Sequence, residues 1–327
     1  MISRIWKNRK RLGAAVALAA AVLLAAGCGG RAALSPEEAD VKTLLDGSYV
    51  TDVEERTIVI PELTQTYHFL FLSDMHIVVV NDELTDGDRD LVQNRFQEFS
   101  LNGHSSAERF AYMMERADAA HLDGVLLGGD IIDFLSAGNA EALNASLQKL
   151  QTPYLYVTAD HDMCVWWTQH SAEEERALQQ TLDFAPVDVR DYGEFLIVGV
   201  SNNTSCLTEE ALAHLKEAFA QGKPVILVQH VPLDSLLEEG LRQKSQEVWQ
   251  GRSLLWGQDG IYEPDAVTQE FLDMVYAPDS PVVAVLAGHL HFRYETALNE
   301  QITEFIFNPA YAGEVAYITV TGEASAE

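Results

Sequence analysis

The chain has 327 residues, and its hydrophobic content of 47% is enough for the core of one large domain or two small ones. Its 50 acidic residues against 21 Lys and Arg give a formal net charge of -29. A surface with this charge repels phosphate backbones, which argues against nucleic acid as a partner. The charge itself is that of a strongly solvated surface.

The first 27 residues have the pattern of a targeting segment and are not expected to join the fold. A basic stretch ends at Arg11, and the apolar stretch LGAAVALAAAVLLAAG then leads to Cys28. This pattern resembles a bacterial lipoprotein signal, in which the cysteine receives lipid and becomes the mature N-terminus. The alternative is an uncleaved membrane anchor, since residues 12–30 are almost long enough to span a bilayer. With either interpretation, the sequence predicts an extracytoplasmic protein. As a lipoprotein, it would be attached to the bacterial cell membrane through lipid on Cys28.

Residues 28–40 are interpreted as a tether and residues 41–327 as the folded domain. Ser105 and Glu108 form a capping-box pattern that predicts a helix through the following segment, ERFAYMMERADAAH. Further helices are predicted over residues 140–150 and 207–220. Their alternation with apolar segments indicates βαβ units and a sheet covered by helices. The final segments RYETAL, ITEFIF and EVAYITVT predict antiparallel strands at the end of the domain.

Five apolar runs in the domain each precede a side chain that can bind a metal. The runs are FLFLS before Asp74, VLLGG before Asp130, LYVTA before Asp160, VILVQ before His230 and VVAVLAG before His289. Runs of this kind suit strands of a sheet covered on both faces. In open α/β sheets, ligands bind beyond the carboxyl ends of such strands. With His76 and His291 close by in sequence, these residues predict a metal site that holds two ions.

The complete motif set is Asp74-x-His76, Gly129-Asp130-x-x-Asp133, Asp160-His161-Asp162, His230 and Gly288-His289-x-His291, in this order. Together these motifs resemble those of the calcineurin-like metallophosphoesterase family, over nearly the whole mature chain. The resemblance implies an α/β fold, a four-layer α/β/β/α sandwich of two mixed sheets flanked by helices. It also implies hydrolysis of a small phosphate mono- or diester by a hydroxide that bridges two divalent metal ions. Nitrogen and oxygen ligands together suit Mn, Fe or Zn.

The resemblance also implies a role for each motif residue. Asp130 would bridge the two ions, because a carboxylate has two oxygens that can bind. The other ligands would be Asp74, His76 and His291 at the first metal, and Asp160, His230 and His289 at the second. His161 would be the general acid for the leaving oxygen, with Asp133 or Asp162 orienting its ring.

Two positions depart from the family pattern. Asp160 stands where the family usually has asparagine, so it can still donate an oxygen but adds a negative charge where a phosphate must approach. We expect Asp160 to remain a ligand, with altered metal preference or slower turnover. The alternative function is a catalytically weakened or inactive, lipid-anchored protein of the same fold that binds metal or phosphate. Phe134 follows Asp133 where the protein Ser/Thr phosphatases carry an arginine, so a bidentate phosphate clamp is missing.

Two further features leave alternatives open. Residues 233–276 form a long connection that contains Trp249, Trp256 and Tyr262. This stretch could cap the active site and stack on a substrate ring, or it could pack as a helical insertion against the sheet.

Cys164 and Cys206 could form a disulfide or remain two buried thiols. The sequence specifies neither the natural substrate nor the oligomeric state.

Overall fold

The computed structural model describes residues 47–322, apart from residue 82 and the segments 203–205 and 258–261. The predicted targeting segment, the tether and Cys28 lie outside the described residues. Within the described ranges, no helix combines the length and the hydropathy that crossing a membrane requires.

The described part of the chain forms eleven strands and eight α-helices. The strands are β1 (Asp52–Val59), β2 (Tyr67–Leu72), β3 (Gly124–Gly128), β4 (Tyr154–Val157), β5 (Val187–Asp191), β6 (Leu196–Val200), β7 (Val225–Gln229), β8 (Val282–Ala287), β9 (Tyr294–Ala297), β10 (Thr303–Ile306) and β11 (Glu314–Thr321). The helices are α1 (Arg89–Glu98), α2 (Ser106–Ala119), α3 (Ala137–Leu147), α4 (Asp160–Met163), α5 (Ala172–Gln179), α6 (Glu209–Phe219), α7 (Gly240–Val248) and α8 (Ala266–Tyr276).

The strands form two mixed sheets. In the first, with the order β1-β11-β2-β3-β4, strands β2, β3 and β4 are parallel. In the second, with the order β5-β6-β7-β8-β10-β9, strands β6, β7, β8 and β10 are parallel and both edge strands are antiparallel. The predicted antiparallel ending is therefore correct for β9 with β10 and for β11 with β2. It is wrong for β10 with β8 and for β11 with β1, which pair in parallel.

Alternate side chains along the central strands pack into different cores. Phe69 and Phe71 of β2 pack between the two sheets, where they meet Ile226 of β7. Leu70 of β2 faces the opposite way, into the core shared with α2 and α3. Leu227 of β7 packs into the core beneath α6 and α8. Because both faces of each sheet are covered, these strands are apolar throughout, and the four layers confirm the predicted α/β/β/α sandwich.

Five of the described helices, α2, α3, α5, α6 and α8, begin at a residue whose side chain caps the helix. The side chain of Ser105 accepts a hydrogen bond from the backbone of Glu108, whose own side chain accepts one in return, which confirms the predicted capping box. The helix predicted over residues 140–150 begins earlier, at Ala137, because the hydroxyl of Ser136 accepts from the backbone N–H of Asn139. No specific sequence prediction was made for strands β1, β5 and β6 or for helices α1, α4 and α5.

The short helix α4 carries a buried carboxylate that joins two loops of the first sheet. Asp162 accepts hydrogen bonds of 2.8 to 3.0 Å from the hydroxyl of Tyr156 and the backbone N–H groups of Asp130, Ile131, Ile132 and Ala159. This carboxylate therefore fixes the loop after β3 against the loop after β4. Cys164, which follows α4 directly, is not joined to Cys206 by a disulfide.

Replacing Asp162 should destabilise the fold, since its removal leaves several buried donors without an acceptor. Each such donor costs about 1 to 3 kcal/mol, so we expect Asp162→Ala to lower the free energy of unfolding by about 3 kcal/mol or more. Urea denaturation of the protein from residue 29 onward measures this loss. Asp279→Ala, at an exposed position, is the matched control and should change stability by less than about 0.5 kcal/mol. Equal losses in the two variants would contradict the structural role of Asp162.

Candidate metal centre

The carboxyl ends of five strands bring the predicted ligands to one edge, where the two sheets meet. From the first sheet, Asp74 and Asp130 lie two residues after β2 and β3, and Asp160 lies three residues after β4. From the second sheet, His230 directly follows β7 and His289 lies two residues after β8. This arrangement agrees with the expectation that ligands collect beyond the carboxyl ends of parallel strands.

Two glycines allow the loops from the two sheets to approach each other. A Cβ atom on Gly129, whose φ is +89°, would lie 2.8 Å from the Cβ of His230. A Cβ atom on Gly288 would collide with the side chains of Ser73 and Asp74. Each glycine directly precedes a candidate ligand. The loops of the two sheets can approach this closely only because neither glycine carries a side chain.

Asp74, His76 and His291 form one group of potential ligands, whose donor atoms lie within 4.8 Å of one another. Nε2 of His291 is 3.2 Å from Oδ1 of Asp74 and 3.4 Å from Nε2 of His76. Nδ1 of His76 is hydrogen-bonded to Oδ1 of Asp133 at 2.9 Å, and Phe99 stacks on its ring with the centroids 4.6 Å apart. These contacts fix the ring and leave its Nε2 for a metal.

Asp130, His230 and His289 form a second group, again with donor atoms within 4.8 Å of one another. Nδ1 of His230 donates to the backbone carbonyl of Gly128 at 2.8 Å, which leaves Nε2 facing Oδ2 of Asp130 at 3.0 Å. The same oxygen of Asp130 lies 4.0 Å from Nε2 of His76 in the first group. The carboxylate of Asp130 therefore lies between the two groups.

The second group contains a buried polar atom that a metal ion would satisfy. Within the described part of the chain, Oδ1 of Asp130 is buried and makes no hydrogen bond, and the nearest cationic group to this carboxylate is the ring of His230. Buried polar groups without partners are costly and rare. Imidazole nitrogens combined with carboxylate oxygens suit divalent transition metals. The residues present therefore fit such ions.

Burial and neighbouring charges shift the pKa values of the candidate ligands in different directions. Burial alone would lower the pKa of His230, but the carboxylates of Asp130 and Asp74 outweigh it and raise that pKa to about 10. Burial would raise the pKa of Asp74, yet His230 and His291 hold it below its usual range. Burial and the charge on His230 lower the pKa of His289 to about 3, so its lone pair is available. A bound cation would take the place of the proton on His230.

The candidate ligands share an unusual backbone conformation. Of the nine described non-glycine residues with positive φ, five are candidate ligands: Asp74 (54°), His76 (46°), Asp130 (53°), His289 (70°) and His291 (55°). The left-handed conformation costs a non-glycine residue about 1–2 kcal/mol. Strain concentrated at one cluster of polar side chains indicates a functional site, because folding alone gives no reason for it.

Asp160, the predicted ligand that departs from the family pattern, lies beside the second group. It is the first residue of α4, and its oxygens are not among the donor atoms that cluster within 4.8 Å in the described residues. Burial and the charge of Asp130 raise the pKa of Asp160, whereas His161 and His230 lower it. An additional carboxylate therefore borders the ligand atoms without joining their cluster.

His161, the predicted general acid, is held by Asp133. Its Nδ1 donates to the backbone carbonyl of Asp133 at 2.7 Å and lies 3.3 Å from Oδ1 of the same residue. Of the two carboxylates considered as the orienting partner, Asp133 makes this contact, whereas Asp162 binds the loop backbone. Burial would lower the pKa of His161, but Asp130 and Asp133 raise it to about 9.

An arginine that the sequence analysis did not single out reaches Asp133 from α1. Nε and Nη2 of Arg95 donate to the two oxygens of Asp133, each at 2.5 Å. The guanidinium lies 4.9 Å from the ring centroid of Phe99 and 5.1 Å from that of Trp167. Because the charge of Arg95 is paired with Asp133, Arg95 does not replace the phosphate-binding arginine that is missing at position 134. No local motif around Arg95 could have indicated this contact.

The aromatic residues of the 233–276 stretch have two different environments. Trp256 is 1% exposed and belongs to the core beneath α6 and α8, which is the packing alternative. The hydroxyl of Tyr262 lies 3.1 Å from Nε2 of His289. The ring of Trp249 lies 5.8 Å from that of His291. Part of this stretch therefore packs against the sheet, and part borders the candidate ligands.

The chain is similar to known proteins both in sequence family and in structure. The sequence model of the calcineurin-like phosphoesterases matches residues 67–293. No curated protein sequence matches the chain. A dimetal phosphatase from Danio rerio is 12% identical, with a TM-score of 0.46 over 75% of this chain and 88% of that one. A phosphopantetheinyl hydrolase from Mycobacterium tuberculosis is 11% identical, with a TM-score of 0.39 over 75% of this chain and 90% of that one. A purple acid phosphatase from yellow lupin seeds is 14% identical, with a TM-score of 0.44 over 78% of this chain and 46% of that one.

The family match decides the classification. The matched residues make up more than half of the chain and include both groups of candidate ligands, from Asp74 to His291. The two mixed sheets with helices outside agree with the fold that the motifs imply. The chain belongs to the calcineurin-like phosphoesterase family.

Proposed function

We propose that the protein hydrolyses a small phosphate mono- or diester with the help of two divalent metal ions. The observation that carries the proposal is the position of Asp130, whose Oδ2 lies 3.0 Å from Nε2 of His230 and 4.0 Å from Nε2 of His76. A carboxylate in this position can contribute one oxygen to each of two ions. Family membership supports metal-dependent phosphoester hydrolysis in general.

Each group of donors would hold one ion. The first ion would be held by Asp74, His76 and His291. The second would be held by His230 and His289 together with Asp160, whose carboxylate borders this group, and Asp130 would serve both ions. Mn, Fe or Zn suits these donors. When bound, two such ions neutralise charge on the phosphoryl oxygens and lower the pKa of water to near neutrality.

His161 would supply the proton that the leaving oxygen needs. Its Nδ1 donates to the carbonyl of Asp133, so Nε2 is the nitrogen left for a substrate oxygen. Arg95 holds the carboxylate of Asp133, which contacts His76 as well as His161. One buried carboxylate would thus orient a metal ligand and the general acid together.

A second candidate function is supported by Asp160. A carboxylate beside Asp130 adds negative charge where an anionic substrate must bind. The protein would then be a catalytically weakened or inactive, lipid-anchored protein that binds metal or phosphate. Its fold and metal content would be the same, so activity is what distinguishes the two functions.

Hydrolysis of aryl phosphomonoesters and phosphodiesters, assayed with Mn, Fe or Zn, tests the enzyme directly. We expect turnover by the wild type and a loss of about 10²–10⁴-fold in His161→Ala, which is the usual contribution of general acid–base catalysis. Elemental analysis should show unchanged metal content in that variant. The exposed His214→Ala is the matched control and should keep full activity. No hydrolysis of any ester with any of these metals would favour the binding protein.

Asp160→Asn should increase catalysis, because it removes a negative charge next to the incoming phosphate and restores an amide donor. We expect a higher kcat or a lower KM, with weaker retention of the second metal. Steady-state kinetics of both proteins under matched, saturating Mn measure the change. If the substitution abolishes activity, Asp160 has a role that its charge does not explain.

We further propose that the protein is extracytoplasmic and anchored to the bacterial membrane by lipid on Cys28, which lies outside the described residues. The support is the sequence pattern before this cysteine. Expressed in bacteria at full length, the wild type should partition with membranes, and Cys28→Ser should change the mass of the processed protein. Unchanged mass and unchanged membrane association would indicate an uncleaved anchor helix.

A further inference from the structure

Trp166 is an exposed aromatic side chain beside the candidate general acid. Its relative exposure is 46%, and among the described Phe, Tyr and Trp residues it is the one in the exposed class. The other exposed large hydrophobic residues are aliphatic: Val59, Val80, Leu91, Leu236, Leu237 and Val248. Single exposed apolar residues are common, so exposure alone implies nothing. The position of Trp166 is what requires an explanation.

The indole of Trp166 is held in a fixed place next to the site. Its ring lies 4.5 Å from the ring of His161, with the planes at 82°, and 5.6 Å from the ring of Trp167, with the planes at 76°. Trp167 in turn packs against Phe134 at 5.4 Å and against the guanidinium of Arg95 at 5.1 Å. Arg95, which holds the carboxylate that orients His161, therefore also packs against the ring that supports Trp166, and Trp166 remains 46% exposed.

The leaving group of a substrate would pass over this indole. Nδ1 of His161 is occupied by the carbonyl of Asp133, so a leaving oxygen would bind at Nε2, about 2.6–3.2 Å away. In an in-line displacement the leaving oxygen departs opposite to the attacking one, so the atoms attached to it would lie on the side away from the metal ligands. With the ring centroids of Trp166 and His161 only 4.5 Å apart, a ring joined to the leaving oxygen would come within stacking distance of the indole.

We propose that Trp166 is the leaving-group platform of this enzyme, and that the preferred substrates are phosphate esters whose leaving group carries a planar aromatic ring close to the ester oxygen. The proposal rests on the proposed phosphoesterase function. An indole face attracts a flat ring more strongly than an aliphatic chain, because stacking adds to the burial of apolar area. Arg95 is paired with Asp133, so its charge is not available to favour a leaving group with a second phosphate.

Binding of two phosphonates tests the platform without depending on turnover. Benzylphosphonate has the shape of phenyl phosphate and ethylphosphonate that of methyl phosphate, and the carbon–phosphorus bond prevents ester hydrolysis in both. Isothermal titration of the Mn-loaded protein gives the ratio of the two dissociation constants. We expect benzylphosphonate to bind at least about fivefold more tightly to the wild type. Trp166→Ala should remove this preference, and Trp166→Phe should keep most of it.

The control variant is Leu237→Ala, which removes another exposed apolar side chain and should keep the wild-type ratio. A wild type that shows no preference for benzylphosphonate, or that binds neither phosphonate, overturns the platform. So does a ratio that is the same in Trp166→Ala and the wild type. Hydrolysis of phenyl phosphate, measured separately on the same proteins, tests the proposed function. A preference that depends on Trp166 without any hydrolysis would support the platform as a binding subsite and reject the enzyme.

Discussion

The carboxylate of Asp130 is the feature on which the rest of the site depends. It lies between Nε2 of His230 and Nε2 of His76, and one of its oxygens is buried without a hydrogen-bond partner. An anionic group in this position is stable only if cationic partners surround it, because burial disfavours an isolated charge. The neighbouring histidines, or metal ions that they bind, supply this compensation. The need to balance the buried charge of Asp130 explains why histidines from both sheets, His76 and His230, lie close to this carboxylate.

The fold is arranged to hold that carboxylate in place. The β3 strand ends at Gly128, and the following loop bends through left-handed conformations at Gly129 and Asp130. Asp162 fixes this loop by accepting hydrogen bonds from its backbone, and the absence of a side chain on Gly129 lets His230 approach from the other sheet. Backbone strain in the loop is thus balanced by hydrogen bonds and by packing between the sheets. Stability and function are coupled at this loop.

Much of this arrangement could be predicted from the sequence, since the strands and candidate ligands are local patterns. An apolar run that ends in Asp130 or His230 indicates both a buried strand and the polar residue at its carboxyl end. The contacts of Arg95 and Trp166 could not be predicted, because they depend on how α1 and the loop after α4 pack in three dimensions. The parallel pairing of β10 was missed for a similar reason. Alternating apolar residues show that a strand has two unlike faces, but not which neighbour it pairs with.

The proposed role of Asp130 as a ligand of two metal ions is tested most directly by the number of ions bound per chain. The protein from residue 29 onward should be incubated with Mn, freed of excess metal and examined by elemental analysis, beside Asp130→Ala and Asp279→Ala. We expect two ions per chain in the wild type and in Asp279→Ala, and weakened binding at both sites in Asp130→Ala. A wild type that binds no metal, or an Asp130→Ala variant that still binds two ions with unchanged affinity, would contradict this role of Asp130.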